Sequence, residues 1–255
     1  MYTKWNYNYW RTKFSETLDK FGQLEGFYVD YDDQMIYICD SWFNRVVKWK
    51  YYSKIGELAA GDNGNGNQSD QLNHPIDLII DKDNDSLIIC DRDKRQVVRW
   101  KIGDTNRTIV AGGNGSGNHF NQLNRPSYLF VDQNHSVYIS DTSNHRVMKW
   151  IKGAKEGILV AGGQGLGAEL NQLTFPRGMI VDQFDSVYVA DRHNHRIMRW
   201  VKGSVEGSVV VGGNGQGKEP NQLDTPEDLL FDEEYNLYVN DAENRRVQKF
   251  AVDLN

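Results

Sequence analysis

The stretch Asp141-Thr142-Ser143-Asn144-His145-Arg146-Val147-Met148-Lys149-Trp150 returns fifty residues later as Asp191-Arg192-His193-Asn194-His195-Arg196-Ile197-Met198-Arg199-Trp200. Looser copies run from Asp40 to Trp49, from Asp91 to Trp100 and from Asp241 to Phe250. A near-constant period filling the chain dictates a repeat architecture, in which each copy buries its apolar face against the next.

The third copy shows what one repeat contains. Leu129-Phe130-Val131 follows Pro126 and precedes Asp132, as expected of a short strand buried on both faces. After the polar turn Gln133 to Ser136 comes a β-branched and aromatic strand, Val137-Tyr138-Ile139-Ser140. The turn Asp141 to Asn144 leads to a third strand, Arg146 to Trp150, and Lys152 to Gly157 leads to a fourth, Ile158 to Val160. Four short antiparallel strands in about fifty residues make a β-propeller blade.

Between blades runs a regular connector. Gly113-Asn114-Gly115-Ser116-Gly117 leads to Asn121-Gln122-Leu123, and the segments 163–173 and 213–223 repeat it, with 61–72 a degenerate copy. About ten residues easily cover the ~15 Å across four strands. The glycines resemble a phosphate loop, but no helix follows to present its N-terminus to phosphate, so the connector is structural.

The two ends of the chain complement each other. The fifth copy supplies strands at 229–231, 237–239 and 246–250 and then stops, while Gln23-Leu24 matches the Gln-Leu that ends each connector. Residues 1–14, with Asn6 to Phe14 rich in Tyr and Trp, are therefore expected to supply the missing fourth strand. The expected fold is all-β: a β-propeller of five four-stranded antiparallel blades, closed by the N-terminal strand. It forms a single domain over residues 1–255, with repeats at 24–62, 72–113, 123–163, 173–213 and 223–255 plus 1–14.

These copies resemble the NHL-repeat family of β-propellers, whose repeat carries Asp-x-x-Asn-His-Arg-Val-x-x-Phe after a Val-Tyr-Val-Ala strand. The matching residues are Val137 to Asp141 with Asn144 to Val147, and Val187 to Asp191 with Asn194 to Ile197. Asn244-Arg245-Arg246, Phe43-Asn44-Arg45 and Lys94-Arg95-Gln96 are weaker matches. Rings of this family usually have six blades, against five copies here. The resemblance implies a rigid interaction scaffold that binds a protein or peptide on one face or at the central channel. It also implies two alternatives: a metal-dependent enzyme of the amidating-lyase or lactonase/hydrolase kind, and RNA binding. Lyases of this type hold zinc with several histidines in the central cavity, whereas only His74 stands near the start of an inner strand here.

Charge and cysteine content narrow the classes. A net charge of −6 disfavours nonspecific nucleic-acid or anionic-membrane binding. No run approaches the ~18 apolar residues of a membrane span, and Met1 to Phe14 lacks the apolar core of a secretory signal. A complete chain of this kind is expected to be cytoplasmic and monomeric. Cys39 and Cys90 share one repeat position with Ser140, Ala190 and Asn240, which identifies a small packed site and buried free thiols.

Most of the repeated polar residues have structural roles. Asp40/Arg45, Asp141/Arg146, Asp191/Arg196 and Asp241/Arg246 are spaced to fix a hairpin. Lys48, Arg99, Lys149, Arg199 and Lys249 are expected to cover neighbouring surface with their stems while their charges reach water. His145, His193 and His195 lie on turns expected to diverge, which does not suit a metal centre. The candidate site is where the repeat breaks its own pattern, at the start of each inner strand: Glu25, Asp77, Tyr128, Arg177, Glu227 and Asp228. These residues are expected at a channel mouth and suit a peptide or small polar ligand. No cofactor is predicted, although the acidic members could hold a cation such as calcium.

Overall fold

The computed structural model describes residue 18, residues 21–64, residue 66 and residues 68–252. The expected fourth strand of the last blade, at 6–14, lies outside the described residues. The first sheet contains β1 (Leu24–Asp30), β2 (Met35–Asp40), β3 (Arg45–Lys50) and β4 (Glu57–Gly61). The second contains β5 (Pro75–Asp81), β6 (Ser86–Asp91), β7 (Gln96–Lys101) and β8 (Arg107–Gly112). The third contains β9 (Pro126–Val131), β10 (Val137–Asp141), β11 (Arg146–Trp150) and β12 (Ile158–Gly162), and the fourth β13 (Pro176–Val181), β14 (Val187–Asp191), β15 (Arg196–Trp200) and β16 (Ser208–Gly212). Three strands of the fifth are described: β17 (Pro226–Phe231), β18 (Asn236–Asp241) and β19 (Arg246–Ala251). Within each sheet the strands follow chain order, so the fold is all-β with five antiparallel blades of the propeller type.

The chain divides into two compact units: Met1–Lys94 with Val98–Thr108, and Arg95–Val97 with Ile109–Asn255. In the first, β1 packs beside β5. In the second, β13 packs between β9 and β17.

Strand β14 explains the packing. All five of its residues are buried, and the period of two sends successive side chains to opposite faces. Val187 and Val189 join Val147, Leu173, Met179 and Trp200 in one apolar cluster. Tyr188 and Ala190 join Ile197, Leu223, Leu229 and Val239 in the next. One strand thus serves two inter-sheet cores, each full aliphatic burial contributing roughly 1.5–3 kcal/mol. The first unit builds the same layer from Cys39, Val46, Leu78, Leu87, Ile89 and Trp100. Cys39 and Cys90 are free and buried, and burial pushes the Cys39 thiol well up.

The repeated polar motif binds blade to connector. Asp141 Oδ1 accepts from the backbone N–H of Asn124 at 2.7 Å, while Oδ2 accepts from Asn144 Nδ2 and Arg146 Nε, each at 2.8 Å. The Arg146 guanidinium then donates to the carbonyls of Asn118 at 2.7 Å and of His119 and Gln122 at 3.0 Å. Asp191, Asn194 and Arg196 repeat this arrangement on Thr174, Ala168, Glu169 and Gln172. The motif therefore does more than set the hairpin, because it also holds the glycine-rich connector in place. A Cβ on Gly117 would displace the Gln122 side chain, whose Nε2 donates to Asn114 O.

The basic residue before each aromatic is less free than its sequence position implies. Lys149 pairs with Asp132 at 2.9 Å and donates to Tyr138 Oη at 2.7 Å, and Arg99 pairs with Asp81 at 2.6 Å. Lys249 reaches Asp232 at 3.3 Å. In these three blades the aspartate at the end of the first strand recruits the charge across the sheet, whereas Lys48 of the first blade pairs with Glu57 at 2.9 Å.

Candidate functional site

Each predicted site residue lies at a β-bulge. Pro75 pairs with Asp91 and Asp77 with Cys90, so two steps along β5 match one along β6. Pro226 pairs with Asp241 and Asp228 with Asn240 in the same way. In β1, β9 and β13 the shift falls between Leu24 and Phe27, Pro126 and Leu129, and Pro176 and Met179. A bulge adds one residue to one strand and re-aims its side chains. Pattern-breaking residues and re-aimed backbone therefore coincide.

In the first unit, Glu25 is exposed and accepts from Gln23 Nε2 at 2.6 Å. Asp77 accepts from the N–H of Leu78 at 2.9 Å, and Gly26 of β1 leaves the space it occupies, since a Cβ there would stand 2.7 Å from Asp77 Oδ1. Asp228 accepts from Leu229 N–H at 2.9 Å in the second unit, and a Cβ on Gly178 of β13 would lie 2.6 Å from the Asp228 Cα. The same pairing of glycine with aspartate thus occurs once in each unit.

The second unit brings together a larger group. Arg177 Nε lies 3.5 Å from Glu227 Oε2, and Arg192 Nε donates to Glu227 Oε1 at 2.5 Å. Arg192 Nη1 is 2.9 Å from His193 Nε2. The side chains of Arg177, Arg192 and Glu227 are 24%, 26% and 23% exposed, open to solvent yet positioned by their neighbours. Asp228 keeps solvent contact, but protein surrounds it closely enough that desolvation raises its carboxyl to about 6; the adjacent Glu227 charge adds to the rise. Tyr128 holds the half-buried bulge position on neighbouring β9.

Sequence reasoning identified Arg177, Glu227 and Asp228 but not Arg192, His193 or Phe175. Phe175 packs against His193 at 4.9 Å and against His145 edge-on at 4.7 Å. Burial lowers the His193 pKa, with Arg192 reinforcing it, and burial also lowers that of His145. A signal was present: the position of Arg192 varies between copies, with Ser41, Arg92, Thr142 and Ala242 in the others.

The motif histidines hold backbone. His145 Nδ1 accepts from Phe175 N–H at 3.2 Å and His195 Nδ1 from Thr225 N–H at 3.1 Å. In the first unit Asn44 Oδ1 accepts from His74 N–H at 2.8 Å. A separate cavity of about 650 Å³ lies among Ile158, Leu159, Val160, Val187, Trp200 and Val205. No predicted site residue lines it, and its lysines, Lys149 and Lys202, are already paired with Asp132 and Asp185.

No helix among the described residues is long and apolar enough to cross a membrane. No protein-family model matches the chain, and no curated protein matches it. Solved structures do. A Bacteroides thetaiotaomicron structural-genomics protein of unknown function aligns at TM-score 0.63 and 19% identity, over 92% of this chain and 60% of that one. A chain of a nidogen/laminin complex aligns at TM-score 0.65 and 15% identity, over 90% of this chain and 79% of that one. A gluconolactonase from Xanthomonas campestris aligns at TM-score 0.63 and 13% identity, over 93% of this chain and 79% of that one. The chain spans less than two thirds of the first of these. At such identities the likeness is one of fold, and the fold is the β-propeller.

Proposed function

We propose that this chain is an NHL-type interaction scaffold that binds a protein or peptide partner where the first strands of its blades begin. One observation carries the reading: Arg177, Glu227 and Asp228 on bulged strand starts, with Arg192 on the turn after β14, form a mixed-charge, solvent-open group. Its backbone is fixed by the Asp191 and Asp241 hydrogen bonds. A rigid platform with variable charged side chains recognises a partner at low ordering cost. The similar fold of a chain in a nidogen/laminin complex supports it. The net negative charge argues against RNA as the partner.

A second reading has its own observation. A carboxyl at about 6, like that of Asp228, is suited to proton transfer near neutral pH. It would make the chain a metal-dependent enzyme of the lactonase or lyase kind, with a cation such as calcium at Asp77 or Asp228. Selection of a random peptide library on the immobilised protein tests the first reading. Enriched peptides should lose at least about tenfold in affinity against Arg177→Ala with Arg192→Ala. Failure to enrich any peptide, together with calorimetric heat on adding calcium or zinc that Asp228→Asn abolishes, would transfer support to the second.

A further inference from the structure

Within the charged group of the second unit, Arg177 is the residue left over. Its side chain is three-quarters buried on the bulge of β13, and Nε, itself buried, forms no hydrogen bond among the described residues. Its one ion-pair partner among the described residues is Glu227 at 3.5 Å, a carboxylate whose other oxygen is already taken by Arg192 at 2.5 Å. Buried donors are almost always satisfied, and a guanidinium presents five N–H groups in a fork shaped for a carboxylate. Two such forks here share one carboxylate.

On the scaffold reading above, we propose that Arg177 and Arg192 bind a carboxylate of a peptide ligand, with Glu227 as the internal group that occupies the forks until the ligand arrives. The geometry supports an incoming group that completes the bonding Glu227 leaves unfinished at Arg177. The fork geometry selects that group. A planar carboxylate accepts two parallel N–H bonds from one guanidinium, as Glu227 can do for only one of the two arginines at a time. Phe175, tilted against His193 one residue from Arg192, would give an apolar wall to the residue that carries the carboxylate.

The test follows the arginine Nε–Hε resonances of the ¹⁵N-labelled full chain by NMR at constant ionic strength. The probes are N-acetylglycine for a terminal carboxylate and N-acetylglutamate α-amide for a side-chain carboxylate. N-acetylglycinamide and inorganic phosphate are the controls. Saturable shifts at Arg177 and Arg192 with an acid and not with the amide are expected, and whichever acid binds identifies the source. Arg177→Gln should abolish them, and Glu227→Gln, which removes the internal competitor, should tighten acid binding by about tenfold. Equal shifts for acid and amide, silence with both acids, or unchanged affinity in Glu227→Gln overturns the proposal. The scaffold reading is scored separately by the peptide selection: enriched peptides that still bind after every carboxylate is amidated refute the carboxylate site and leave the scaffold intact.

Discussion

The imidazole Nδ1 of His145 accepts a hydrogen bond from the backbone N–H of Phe175, thirty residues further along the chain. Both residues have positive φ, 54° each, a region that costs a non-glycine residue about 1–3 kcal/mol. Phe175 stands immediately before Pro176, which opens β13, so the bond fixes the turn that aims the next blade's first strand. The acceptor role requires an unprotonated Nδ1. Burial lowers the His145 pKa below its ordinary 6.5, so the folded state binds fewer protons than the unfolded chain. The stability it contributes is fully present above pH 6.5 and is lost as pH falls through the folded value. His145→Asn should keep an acceptor, as Asn44 does for His74 at 2.8 Å, and remove this pH dependence. Urea titrations of both proteins at pH 7.5 and 5.5 check it: the stability gap between the two pH values should be smaller in the variant.

Arg146 should be the more costly residue to lose. Its side chain is 6% exposed and the Asp141 side chain is fully buried. Arg146→Met leaves a buried carboxylate without its cation and strips donors from three connector carbonyls. Breaking a buried pair in this way costs about 3–5 kcal/mol. Adding Asp141→Asn should recover part of the loss, measured by denaturant titration of both variants, because the orphaned charge is gone while an oxygen remains for the Asn124 N–H.

The repeat made most of this fold legible. The continuous apolar run at 187–190 and the proline that opens the first strand of four copies specify strand, turn and burial on both faces. The Asp-Arg spacing indicated a contact across the turn, but not the carbonyls of Asn118 and Gln122 that Arg146 reaches 24 to 28 residues away. Such contacts depend on how the connector folds back, which no local pattern encodes. The bulge was likewise hidden. Pro176 and Met179 read as ordinary strand positions, and only their pairing with Asp191 and Val189 reveals the extra residue. The lysines were read as solvated because Lys149 and Asp132 are far apart in sequence, although they face each other across β10.

Trp150 tests the inter-sheet packing. It is 2% exposed, and Gly157 lies against its ring so closely that a Cβ would stand 2.7 Å from Cε3. Trp150→Ala should destabilise by about 3–5 kcal/mol through the cavity it leaves. Gly157→Ala should cost about 1–3 kcal/mol through overpacking on the same ring. Thermal or denaturant melts check both, and a loss under about 1 kcal/mol for Trp150→Ala would contradict its burial.

Asp228 gives the opposite pH signature to His145. Its carboxyl is raised to about 6 in the folded chain, first by desolvation and then by the Glu227 charge, against about 3.9 when unfolded. The folded state therefore holds the proton more tightly, and the stability linked to that proton is present below pH 3.9 and lost as pH rises through 6. At pH 8 the ionised side chain sits beside Glu227 at a cost, relieved in part by solvent contact. Asp228→Asn keeps the shape and the acceptor for the Leu229 N–H while removing the charge. The variant should melt higher than the parent at pH 8 and no higher at pH 4.5, where the parent's Asp228 is mostly protonated. Melting curves at the two pH values, with Glu227→Gln alongside to separate the neighbour's charge, check the assignment. Equal effects of Asp228→Asn at both pH values would mean that the carboxyl titrates like one in open water.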